Sequence, residues 1–167
     1  MSIWFMNGAS IQSASGLGNV GSPWVVEGMG DFNGDGRDDI LWRNSSTGAM
    51  SMWLMDGAAV TGAAFATVGS PWVLEGIGEF NGDGRHDILW RNSATGATSI
   101  WFMNGAAITG AVGYGVGTSW ALEAVGDYNG NGTDDILWRD GAGNLVAWYV
   151  NGSSLTTALI GSLSSDW

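Results

Sequence analysis

The chain has 167 residues, a formal net charge of −11 and no cysteine. That length suits one domain with a sizeable core. The negative charge excludes nucleic acid and anionic membrane as partners, since both demand the opposite sign, and the lack of cysteine excludes disulfides. Apolar residues make up 45% of the chain, too many for a disordered segment. No run of about 18 apolar residues occurs, so no membrane insertion is expected.

Internal repetition dominates the chain in order. Ser2 to Gly8 reads Ser-x-Trp-x-Met-Asn-Gly, and it recurs at Ser51 to Gly57, at Ser99 to Gly105 and, more weakly, at Val146 to Gly152. The opening Met1-Ser-Ile-Trp-Phe-Met has no basic stretch before a long apolar core, so it is not a secretory signal. A Gly-Ser-Pro-Trp-Val motif stands at Gly21 to Val25 and at Gly69 to Val73. Looser copies are Gly117 to Trp120 and Leu163 to Trp167.

One repeat unit reads as four short strands. Trp24 to Met29 is rich in β-formers, and an acidic hairpin turn follows it. Asp39 to Arg43 is the return strand, and Asn44 to Gly48 a polar turn. Ala49 to Met55 is the third strand, closed by Asp56-Gly57, a hairpin signal. Val60 to Val68 is a fourth, built of small residues. No window has sustained 3.6-residue periodicity with helix caps.

The chain is therefore all-β. Four-stranded units repeated about every 48 residues point to a β-propeller. The units divide a single domain, 1–167, into a half repeat at 1–23 and full repeats at 24–71, 72–119 and 120–167. Ile40, Leu41 and Trp42 are consecutive, which suits blades packed on both faces. The eleven tryptophans are read first as packing between blades. About three and a half blades fall short of a ring, so either a longer array of repeats or completion by a homo-oligomer is expected, with a dimer favoured.

The acidic turn occurs three times, beginning 48 residues apart at Asp31, Glu79 and Asp127. Alternating carboxylates and amides separated by glycines are the sequence form of a Ca²⁺ loop, because that hard cation takes six to eight oxygens. The first set of ligands is Asp31, Asn33, Asp35, the Arg37 carbonyl and Asp39. The second is Glu79, Asn81, Asp83, the Arg85 carbonyl and Asp87; the third is Asp127, Asn129, Asn131, the Thr133 carbonyl and Asp135. Asn131 removes one carboxylate, so the third loop should hold calcium least tightly. An EF-hand does not fit, since its twelfth position needs a glutamate and here it is Trp42, Trp90 or Trp138. Counting outward from the loop centres places Glu27 opposite Arg43, Glu75 opposite Arg91 and Glu123 opposite Arg139, as cross-strand ion pairs.

The run Asp31-Phe-Asn-Gly-Asp-Gly-Arg-Asp-Asp-Ile40 between apolar strands resembles the FG-GAP or VCBS-type repeat. That family includes the calcium-binding blades of integrin α-subunit propellers and a mushroom lectin that binds N-acetylglucosamine. The resemblance implies a propeller with calcium in the hairpin loops, at the residues just named, and an extracellular or secreted setting rich in the ion. Abundant tryptophan and amide-rich turns point to a calcium-stabilised carbohydrate-binding module, with inter-blade pockets as the site. The alternative is a structural or protein-interaction scaffold. No enzyme is expected: the one histidine, His86, reads as a solvated turn residue, and Asp38, Asp134, Asp140 and Asp166 lack a partner set.

Overall fold

A computed structural model describes residues 1–163. Ser164 to Trp167, most of the last tryptophan motif and Asp166 with it, lie outside the described residues. Every element among the described residues is a strand. The first sheet pairs β1 (Ser2–Asn7) with β2 (Ser10–Gly16). Three four-stranded antiparallel meanders follow. The first blade is β3 (Trp24–Gly30), β4 (Asp39–Asn44), β5 (Ala49–Asp56) and β6 (Ala59–Thr67). The second is β7 (Trp72–Gly78), β8 (Asp87–Asn92), β9 (Ala97–Asn104) and β10 (Ala107–Gly115). The third is β11 (Trp120–Gly126), β12 (Asp135–Asp140), β13 (Asn144–Asn151) and β14 (Ser154–Ser162).

The blades follow one another around an axis lined by their first strands: β3 lies against β7, and β7 against β11. The arc is open, an incomplete propeller. Its core is not one cluster but several, each between two sheets. Ile40 and Trp42 face back towards Leu17 and Val20, while Leu41 between them packs forward with Ile88, Trp90 and Met103 of the second blade. One blade on, Ile88 and Trp90 face back and Leu89 packs forward with Ile136 and Trp138. Consecutive apolar residues are thus buried on opposite faces, as the sequence predicted.

The expected glutamate–arginine register needs correction. A bulge between Val26 and Gly28 takes Glu27 out of the ladder, so Arg43 stands opposite Val25. The same bulge places Val73 opposite Arg91 and Ala121 opposite Arg139. The ion pairs form diagonally in the first two blades, Arg43 Nη1 to Glu27 Oε1 at 2.9 Å and Arg91 Nη1 to Glu75 Oε1 at 3.2 Å. Glu123 and Arg139 do not come within ion-pair distance. Arg43 also donates to the carbonyls of Val68 and Trp72, at 2.7 and 3.0 Å, which ties one blade to the start of the next. Arg91 repeats the arrangement with Gly117 and Trp120.

Candidate metal centre and inter-blade clefts

The three acidic loops leave the first strand of each blade at the same edge of the arc. In the first, Asp31 gathers the turn: its carboxylate accepts the N–H groups of Gly34, Asp35 and Gly36 at 2.7 to 3.0 Å. Gly34 and Gly36 have φ of 77° and 81°, a backbone shape that favours glycine. Asn33 Nδ2 lies 3.3 Å from Asp35 Oδ2, so the third and fifth side chains meet. Asp39, fully buried, accepts Phe32 N–H at 3.1 Å and Met55 N–H at 2.9 Å, joining the loop to the third strand.

The other loops repeat this with two variations. Glu79 reaches Asn81, Gly82 and Asp83 N–H with a single oxygen, whereas Asp31 uses both of its own. Its extra methylene shifts the carboxylate without losing the turn. In the third loop Thr133 is buried, and its hydroxyl oxygen lies 2.7 Å from Asn131 Oδ1 and 2.6 Å from the Val150 carbonyl. Thr133 therefore contributes a side chain to the loop where only its carbonyl was expected.

Burial pushes the carboxyls of Asp39 and Asp135 above the usual range, and neighbouring loop carboxylates push the same way. Asp87 is pushed up to about 7 by burial, with the charges of Asp83 and Glu79 adding to it. Like charges are thus crowded at positions 1, 5 and 9 of one turn. Among the described residues no three carboxylate or imidazole groups converge as a ready-made cage. The donor set is oxygen only, however, and a carboxylate oxygen holding one N–H retains a lone pair for a metal. These residues fit Ca²⁺, which would offset the repulsion and stiffen the hairpin.

The fold and the loop geometry agree with what the sequence comparison finds. Residues 23–74 match the FG-GAP repeat, and residues 79–138 match an FG-GAP-like repeat. The chain carries FG-GAP-type repeats. Such a chain is a propeller-type binding or scaffold module. No curated protein and no solved structure matches it.

Sequence reasoning missed how the FG-GAP loops hold one another. His86, at the eighth position of the second loop, is half-buried and not a solvated turn residue. Its Nδ1 accepts Asp31 N–H at 2.9 Å, and the Asp31 carbonyl accepts His86 N–H at 2.8 Å. One blade on, Asp134 Oδ2 accepts Glu79 N–H at 2.8 Å, and Asp134 N–H donates back to the Glu79 carbonyl. The eighth residue of each later loop therefore clasps the first residue of the loop before it. His86→Ala removes one acceptor and should lower stability by about 1 kcal/mol. His86→Asp should recover most of that loss, because Asp134 performs the same task. Thermal melts of the two variants check both.

The FG-GAP blades also leave clefts where they meet. Between the first and second blades lies a cleft of about 420 Å³, with Trp72, Trp90, Trp101, Thr98 and Ser99 on one side and Val68 and Gly69 on the other. One repeat earlier, a cleft of about 290 Å³ is lined by Val20, Gly21, Trp24, Trp42, Ser51 and Trp53, the residues 48 positions before their counterparts. The tryptophans thus divide in role. Trp42, Trp90 and Trp138 are buried between blades, while Trp24, Trp53, Trp72 and Trp101 are partly exposed at the cleft walls.

Proposed function

We propose that this chain is a calcium-stabilised, carbohydrate-binding propeller module working outside the cell, where the ion is plentiful. One observation supports the reading above the others. In the larger cleft, Trp90 Nε1 is buried with no hydrogen-bond partner. Trp90 is only 1% exposed. A buried polar atom left unpaired costs free energy of about 1–3 kcal/mol, and a ligand that pairs it recovers that cost.

A sugar has the matching chemistry. Its CH face stacks on an indole ring, and its hydroxyls both donate and accept. The walls supply the rings of Trp72 and Trp101, and the floor supplies the Trp90 indole N–H with Ser99 beside it. Calcium acts at a distance in this scheme. It fixes the loops at the blade tips, and Arg43 and Arg91 fix the blade roots, so the cleft walls keep their spacing. Repetition of the cleft adds avidity towards a multivalent glycan.

A glycan array probed in millimolar calcium is the direct test. Binding to a coherent set of glycans, lost in Trp101→Ala, is the expected result. An array with no binder leaves the scaffold role in its place.

A further inference from the structure

The inter-blade clefts are copies of one design, but the third carries two bulkier side chains at its walls, Tyr114 and Val146. We infer that Tyr114 and Val146 close the third cleft, so that the described chain offers two sugar sites and Tyr114 decides the number. The inference rests on the carbohydrate reading above.

The tryptophan frame is the same in all three places. Trp42 and Trp53 have ring centroids 5.1 Å apart at 58°, Trp90 and Trp101 5.5 Å at 59°, and Trp138 and Trp148 5.3 Å at 64°. Trp42, Trp90 and Trp138 each have a buried indole N–H with no acceptor. The ladder then shows what changes. Trp42 faces Ser51 and Trp90 faces Ser99, but Trp138 faces Val146. A hydroxyl at the cleft wall has become two methyl groups.

The second change comes from the blade before. Met50 pairs with Ala66 on the outer strand of the first blade, and the equivalent pair in the second blade is Thr98 with Tyr114. Where the first blade presents a methyl group, the second presents a phenol ring. That ring meets Trp148 edge-on, with centroids 5.9 Å apart at 69°. Its hydroxyl donates to the Ser153 carbonyl at 2.9 Å, which pins it across the blade junction. Tyr114, Val146, Trp120 and Trp138 belong to one apolar cluster. Swinging the ring away loses both the aromatic contact and the hydrogen bond.

The unpaired indole N–H groups are their own reporters, because an N–H that gains an acceptor moves in the NMR spectrum. The full chain, saturated with calcium, is titrated with the methyl glycosides of glucose, galactose and N-acetylglucosamine while the indole signals are followed. The Trp42 and Trp90 signals are expected to move and the Trp138 signal to stay. In Tyr114→Ala the Trp138 signal should begin to respond. The converse variant, Ala66→Tyr, should silence Trp90 and leave Trp42 responsive, and it does not depend on the first variant folding. A Trp138 signal that moves with the others in the unaltered chain overturns the closure. So does an Ala66→Tyr chain whose Trp90 still responds. If no indole responds to any sugar, the carbohydrate reading itself fails and takes the site count with it.

Discussion

Asp87→Ala is expected to destabilise the second blade by roughly 2–6 kcal/mol even in a chelator, because two buried backbone donors lose their acceptor. Asp87 is fully buried. Its two oxygens accept Met103 N–H at 2.9 Å and Phe80 N–H at 3.0 Å, so it joins the loop to β9 independently of any metal. Asp83→Ala is the contrasting variant. Asp83 is exposed, and its carboxylate accepts Arg85 N–H at 2.9 Å and lies 3.2 Å from Arg85 Nη1, inside the same turn. Surface contacts of that kind contribute at most about 1 kcal/mol. In chelator Asp83→Ala should therefore melt close to the unaltered chain, and in calcium it should fall behind. Urea denaturation of both variants in both conditions separates the fold anchor from the metal ligand. Equal stability of the two in chelator would show that the ninth position serves the metal alone.

The strands were legible because their signals are local. Asp39 to Arg43 was predicted as a strand and extends one residue further, to Asn44; Ala49 to Met55 likewise extends to Asp56. Burial on both faces was legible too, since Ile-Leu-Trp leaves no polar face to turn outward. What depends on a neighbouring blade was not. The bulge at Glu27 sits in Trp-Val-Val-Glu-Gly-Met-Gly, which has no alternation to betray a shift of register. The residue after it lies tight against the adjoining blade in the first two blades, where a Cβ on Gly28 would meet the Ile77 side chain and one on Gly76 would come to 3.0 Å from Val125, yet the same bulge recurs in the third blade beside Ala124. The His86 clasp was hidden in the same way, because its partner is 55 residues distant. The loop's own turn was legible in its glycines and its alternating Asp and Asn residues. The loop did not spell which residue the next loop would reach back to.

Calcium is expected to raise the melting temperature in proportion to the number of loops filled. At a free concentration about a hundred times the dissociation constant, each filled site adds about 2.7 kcal/mol. For a chain of this size each kcal/mol is worth roughly 2–4 °C. Saturation of one loop should therefore shift the melt by about 5–10 °C, and a chelator should reverse it. Magnesium should do far less, since it demands a tight octahedral shell and gives up water reluctantly. The loops should fill in order of charge. Asp31, Asp35 and Asp39 give the first loop three carboxylates, while Asn131 leaves the third with two. Asn131→Asp is the sharpest form of the test. Asn131 Oδ1 already accepts Thr133 N–H at 2.8 Å, and an aspartate oxygen can keep that bond while adding the missing charge. The variant should bring the weakest site into line with the other two in a calorimetric titration. Three equal sites in the unaltered chain would refute the charge order, and a melt indifferent to calcium would refute the metal itself.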